Sequence, residues 1–192
     1  MLAYNIALFI HFLGLIAVFG GFVLVARAGS RLRAATDMEQ VRMWLALLNT
    51  TGPMFGGGYG LLLLSGIYMA ATRWRAAHPW LVVAMLSLLA VWIVSGVVVG
   101  RHVRAINAAA AATTGSISGE LAFQIANPSL WRTAGALNGL ALGVVFVMTV
   151  KPGWTGSIVV AVIAAGIGSV IGAVTTRRRR RQTPIEARPA ES

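Results

Sequence analysis

Five long apolar runs divide the chain, and a polar or basic stretch separates most of them. They cover residues 5–26, 44–71, 80–100, 133–150 and 154–176. An α-helix needs about 20 apolar residues to cross a bilayer, and each run is close to or above that length. The pattern therefore predicts an all-α fold, a polytopic membrane helix bundle with five transmembrane helices.

The second run and the segment after the third run depart from simple spans. Pro53 and three glycines at 56–58 interrupt the second run. We expect one long helix there, which begins near Asp37 and bends near Pro53. About 30 residues rich in Ala, Ser, Thr and Gly separate the third and fourth runs. A short interfacial helix is expected within them, at 117–125.

The runs suggest a division of the chain into three parts. Residues 1–153 form a four-span core, residues 154–176 add a fifth transmembrane helix, and residues 177–192 form a basic cytoplasmic tail that we expect to be disordered. The first run is too long for a signal peptide, and no basic side chain precedes it. We therefore expect it to stay in the protein as an uncleaved span.

The basic residues are distributed unevenly between the two sides of this predicted bundle. Of the 16 Lys and Arg residues, 13 follow the first and third runs or lie in the tail, and 3 lie on the other side. Cytoplasmic loops carry the excess of Lys and Arg. The N-terminus is therefore predicted outside and the C-terminus in the cytoplasm, in a bacterial cytoplasmic (inner) membrane.

The net charge of +11 is thus mainly a topology signal, and a nucleic-acid partner is not expected. The lipid bilayer is the expected partner, and anionic headgroups at the cytoplasmic face would be attracted by about 1 kcal/mol per basic side chain. The candidate lipid-binding residues are the five consecutive arginines Arg177, Arg178, Arg179, Arg180 and Arg181.

Composition excludes several classes of protein and site. Hydrophobic residues make up 57% of the chain and charged residues 11%, whereas soluble domains carry about 25% charged residues. The absence of cysteine excludes disulfides, thiolate metal sites and covalent c-type haem. No Asp or Glu stands in the five runs, which argues against a proton- or cation-coupled transporter. No motif indicates a catalytic residue, so enzymatic activity stays open.

His11 is the only histidine or charged residue within the five runs. A polar group in hydrocarbon is costly unless it is paired, so His11 should face the bundle interior. Neutral imidazole binds haem iron, copper or zinc. Candidate partners near the same outer end are Met148, Lys151 and His78. The alternative is that His11 only forms a hydrogen bond to a neighbouring helix.

Two sets of glycines recur at four-residue spacing. They are Gly52, Gly56 and Gly60 in the second span, and Gly135, Gly139 and Gly143 in the fourth. Small residues let membrane helices approach closely, so both sets predict helix packing, within the chain or between chains. The glycines of the second span have a second interpretation, because a backbone without Cβ atoms also admits a flat cofactor.

Short motifs give the chain a resemblance to known families. They are His11 followed by Gly20 and Gly21, the stretch at 65–69, and the Met-x-x-Lys-Pro sequence at 148–152. These features resemble a bacterial family of predicted integral membrane proteins of unknown function. The resemblance covers about residues 1–153, so the fifth span and the arginine tail look like an addition to a four-span core.

The histidine followed by two glycines also resembles the CopD copper-resistance family and the HemJ-type protoporphyrinogen oxidases. The HemJ likeness implies that His11 is a haem ligand. The second ligand of that family is a lysine in a middle span, where this chain has none, so Lys151 would have to replace it from another helix.

Three hypotheses about function follow. The first is a small membrane protein that binds haem b or a metal ion such as copper through His11, near the outer face. The second is a non-catalytic structural or accessory subunit, which would associate with other membrane subunits or with itself. The third, less favoured, is a copper transporter.

Overall fold

The computed structural model of the chain describes residues 1–74 and 78–180, and this part is helical without any strand. The helices are α1 (Leu2–Leu32), α2 (Met38–Met69), α3 (Pro79–Val94), α4 (Gly100–Ala112), α5 (Gly119–Ile125), α6 (Pro128–Val150) and α7 (Trp154–Arg180). Two π-helical turns extend this series. Ala70–Trp74 prolongs α2, and Ser95–Val99 joins α3 to α4 without a break.

The five predicted spans are confirmed by length and composition. Five helical segments of the described part are long and apolar enough to cross a membrane. They are Leu2–Leu32, Met38–Arg73, Pro79–Ala112, Gly119–Val150 and Trp154–Thr175. The third segment extends beyond its predicted end at Gly100 and reaches Ala112. The run of alanines at 108–112 favours this extension, because alanine has the highest helix propensity of any residue type.

Helix starts follow from local capping. Asp37 caps α2, since the backbone N–H of Gln40 donates to its carboxylate at 2.8 Å. The helix then continues through Pro53. Ser118 caps α5 in the same way, by accepting from the N–H of Leu121. The start of α2 near Asp37 and the short helix predicted at 117–125 are therefore confirmed.

The helices pack as two close pairs with a third element between them. α1 packs along α2, and α6 packs along α7. α3 contacts α2, α6 and α7 less extensively, so space remains beside it. We call the end of the bundle formed by the α1–α2 linker, α4 and α5 the basic end. A core cluster around Leu32, Val41, Ile106 and Leu121 closes that end.

The C-terminal tail is described only in part. α7 continues through residues 177–180, which contribute four of the five consecutive arginines to its last turn. Arg181 and the residues after it, which belong to the tail predicted to be disordered, lie outside the described residues.

Candidate functional site

The His11 side chain reaches across the interface between α1 and α2. Its Nδ1 atom lies 3.0 Å from the hydroxyl oxygen of Ser65. Gly66 follows Ser65, and a Cβ atom there would lie 3.7 Å from Cε1 of His11, so the imidazole rests against nearly bare backbone. The prediction that His11 faces the bundle interior agrees with this hydrogen bond to α2.

The hydrogen bonds of Ser65 assign the proton of the imidazole. The Ser65 hydroxyl donates to the carbonyl oxygen of Leu61, one turn earlier in α2. Because a hydroxyl has one proton, its oxygen accepts from Nδ1–H of His11. His11 also forms a hydrogen bond to the backbone of Leu62. In the tautomer that donates through Nδ1, the Nε2 atom carries a lone pair. A metal-binding histidine is typically oriented in this way, with one ring nitrogen donating to a neighbour and the other free to bind.

His11 and Met148 line one small cavity. Its volume is about 30 Å³, and residues of α1, α2, α3 and α6 form its wall. Its wall also includes Tyr59, whose side chain is completely buried and whose hydroxyl faces Ser95 of the π-helical turn. Sequence reasoning missed Tyr59, because a tyrosine among glycines and leucines carries no spacing signal.

Lys151 and His78 lie elsewhere, against Trp80. The ammonium of Lys151 lies 5.6 Å from the centroid of the Trp80 ring, and the imidazole of His78 stacks on the same ring at 6.3 Å. Lys151 ends α6 in a left-handed conformation, with φ at 55°, immediately before Pro152. Neither residue lines the His11 cavity. Of the four candidate ligands, the structure therefore brings together His11 and Met148 only.

The residues around His11 do not fit a haem. Lys151, which would have to replace the missing lysine of a HemJ-type site, lies over Trp80. A cavity of about 30 Å³ holds no more than a small ion or one or two water molecules. Within the described residues, no three His, Cys, Asp or Glu side chains form a cluster suited to a metal. One imidazole nitrogen and one thioether sulfur are the donors that the cavity offers.

The glycines of the fourth span pack against α7. A Cβ atom at Gly135 or Gly139 would collide with backbone carbonyls of Gly168 and Ala164, and one at Gly143 would lie 2.8 Å from Cβ of Ala164. The prediction that these glycines mediate helix packing is confirmed for contacts within the chain. Their partner is the fifth span.

The glycines of the second span behave differently. A Cβ atom at Gly52, Gly56 or Gly60 would meet no described atom within 4 Å. Within the described residues, this second glycine set therefore does not mediate the helix packing predicted for it, and packing between chains stays a prediction. Gly52 and Gly56 line a second, larger cavity instead.

These features fit a multi-pass α-helical membrane protein, with a cavity lined by His11 and Met148 near one end of its helix bundle. No family model, curated protein or solved structure matches the chain.

Proposed function

We propose that the chain binds a single copper(I) ion through Nε2 of His11 and the thioether sulfur of Met148. One observation carries the proposal: the hydrogen bond to Ser65 leaves Nε2 with a lone pair, on a cavity that Met148 also lines. Thioether and imidazole donors select copper(I) among the common metal ions. The remaining wall of the cavity is apolar except for Tyr59, so a monovalent ion with soft ligands suits it better than a hydrated divalent ion.

The location of the site supports a role in copper handling rather than catalysis. His11 lies about six turns from the basic end of α1 and less than three turns from its N-terminus. In the predicted orientation this is the outer half of a bacterial cytoplasmic membrane. Among the described residues that line the cavity, none is an Asp, Glu, Lys or Arg.

To test the proposal, the detergent-purified chain is loaded with copper(I) under reducing, anaerobic conditions. Bound copper is then measured by competition with a chromogenic copper(I) chelator. We expect one ion per chain, and loss of binding in His11→Ala and in Met148→Leu. His102→Ala is the matched control, because His102 bonds only to the Val98 carbonyl of its own helix, at 2.8 Å. Met54→Leu is the control for the methionine.

Two results would contradict this assignment. Copper binding that persists in both His11→Ala and Met148→Leu would place the ion elsewhere. A Soret band in the purified protein that disappears in His11→Ala would indicate haem b as the ligand, with a cavity that widens on binding.

A second candidate function is that of an accessory subunit, and the open glycine face of α2 favours it. A Cβ atom at Gly60 would meet no described atom within 4 Å, although small residues in membrane helices usually lie where another helix approaches. Because the chain lacks cysteine, a Gly60→Cys variant tests the idea directly. Disulfide-linked dimers in membranes would indicate self-association, and copurification of a stoichiometric partner would indicate a larger complex.

A further inference from the structure

A second cavity lies in the half of the bundle nearer the basic end. Its volume is about 450 Å³, within the range of about 300–1,000 Å³ that small-molecule sites occupy. α2 forms one wall, the continuous helix of α3 and α4 forms the opposite wall, and α6 forms the back. The copper proposal does not involve this cavity, and the two do not share a lining residue.

The two facing walls lack side chains where they lie opposite each other. Gly52 and Gly56 belong to α2, and Gly96 belongs to the π-helical turn between α3 and α4. At all three positions a Cβ atom would meet no described atom within 4 Å. Small residues normally let membrane helices close on each other, but here the helices stay apart. Gly52, Gly56, Gly96 and the neighbouring Trp92 are also exposed, so the cavity opens sideways toward lipid.

A positive charge stands at the end of the cavity nearer the basic end. Arg104 lines the cavity. The Nη1 atom of Arg104 lies near Gly100, 3.4 Å from the position that a Cβ atom on Gly100 would take. A helical side chain points toward the N-terminus of its helix, which for α4 is the direction of the membrane interior. Among the residues that the structure describes, Arg104 has no carboxylate or hydrogen-bond partner. Arg104 is also exposed, so its guanidinium is available to an anion from outside the chain.

The cavity wall carries polar side chains besides Arg104. Ser95 and Asn138 face the cavity deeper in the bundle, and Ser95 lies about 7 Å along the helix from Gly100. The side-chain amide of Asn138 bonds to no other described residue. Asn49 and Thr51 also line the cavity, and most of the remaining wall is apolar, with Phe22 and Phe55 among its aromatic residues. The cavity therefore combines one charged side chain, several neutral polar groups and a mainly apolar wall.

We propose that this cavity binds an anionic glycerophospholipid from the bilayer. Its phosphate would pair with Arg104, its ester carbonyls would accept from Ser95 and Asn138, and one acyl chain would lie along the glycines among the aromatic rings. The sideways opening gives such a lipid a direct path from the membrane.

Photolabelling in nanodiscs tests the proposal. The full chain is placed in phosphatidylcholine nanodiscs with a small fraction of phosphatidylglycerol that carries a diazirine in one acyl chain, and labelled residues are mapped by mass spectrometry. We expect labels on the segments 51–56 and 92–99. Unlabelled phosphatidylglycerol should compete, whereas added phosphatidylcholine should not.

Two variants and one control separate this site from general lipid contact. Gly56→Leu fills open space and should reduce labelling of the cavity about fivefold or more without loss of thermal stability. Arg104→Gln should weaken phosphatidylglycerol binding about tenfold, as expected for loss of a charge-assisted hydrogen bond. Arg101→Gln is the matched control, because Arg101 lies one turn earlier and is exposed like Arg104 but does not line the cavity.

Three results would overturn the proposal. One is equal competition by phosphatidylcholine, and another is labelling of the cavity that neither Gly56→Leu nor Arg104→Gln reduces. The third is efficient disulfide formation between two Gly56→Cys chains in the same nanodiscs, which would show that a second copy of the chain, rather than a lipid, covers the opening.

Discussion

The imidazole of His11 and the hydroxyl of Ser65 form a hydrogen bond of 3.0 Å between residues that are 54 positions apart. It connects α1 to α2 in an interface that is otherwise apolar around it. The bond gives the partly buried imidazole a partner, beside a cavity that both His11 and Met148 line.

Replacement of Ser65 by alanine should therefore affect stability and copper binding to different extents. We expect Ser65→Ala to cost about 1 kcal/mol of stability, in the range of hydrogen bonds between membrane helices. Copper(I) affinity should fall about 10-fold or more, since residues that orient a metal ligand typically contribute 10- to 100-fold. Thermal unfolding and chelator competition on the same preparation measure both effects.

The control for this variant is Thr149→Ala. The hydroxyl of Thr149 donates only to Val145 of its own helix, at 2.7 Å, and Thr149 neighbours Met148 in sequence. The Thr149→Ala variant should leave the copper(I) affinity unchanged. An equal loss of affinity in both variants would argue that Ser65 has no orienting role.

The two glycine sets predict opposite responses to the same substitution. Gly139→Ala places a methyl group against the backbone of Ala164 and Gly168, so it should destabilise the protein by about 1–3 kcal/mol. Gly60→Ala adds a methyl group in open space and improves helix propensity, so it should stabilise the protein by up to about 1 kcal/mol. Thermal unfolding in one detergent compares the variants. Destabilisation by both would indicate that α2 packs against another chain.

The five helices could be predicted because hydropathy and length determine which segments cross a bilayer, whatever their neighbours are. The caps at Asp37 and Ser118 are local signals of the same kind. Which helices pack against each other could not be predicted from such signals. The glycines of the fourth span fit any smooth helix face, and only the three-dimensional arrangement places Ala164 and Gly168 opposite them.

The candidate site was predictable in part for a similar reason. A lone histidine in an apolar span indicates a buried polar contact, but the identity of its partner depends on helix rotation. Met148 lies on the inward face of α6, whereas the left-handed conformation of Lys151 ends that helix and leaves its ammonium over Trp80. A separation of three residues thus places the two predicted ligands in different surroundings.

The amides of Asn49 and Asn107 should couple energetically. Each donates to the other, at 2.9 and 3.0 Å, and together they link α2 to α4 beside the larger cavity. In a double-mutant cycle with alanine, we expect a coupling of about 1 kcal/mol. The control cycle pairs Asn107→Ala with Thr50→Ala, because Thr50 bonds only to Leu47 of its own helix. That cycle should be additive, and additivity in both would mean that the amide pair contributes nothing to stability.

The distribution of basic residues predicts which end of the bundle faces the cytoplasm. The exposed arginines Arg31, Arg42, Arg101 and Arg132 surround the basic end, and basic residues are retained on the cytoplasmic side during insertion. Single cysteines report this orientation without background, since the chain has none of its own. Ala34 is exposed in the α1–α2 linker, and Gly153 is exposed in the turn between α6 and α7 at the opposite end. In intact bacterial spheroplasts, a membrane-impermeant maleimide should label Gly153→Cys at once and Ala34→Cys only after permeabilisation. The reverse pattern would place the His11 cavity in the cytoplasmic half of the membrane, and the copper site would then receive its ion from inside the cell.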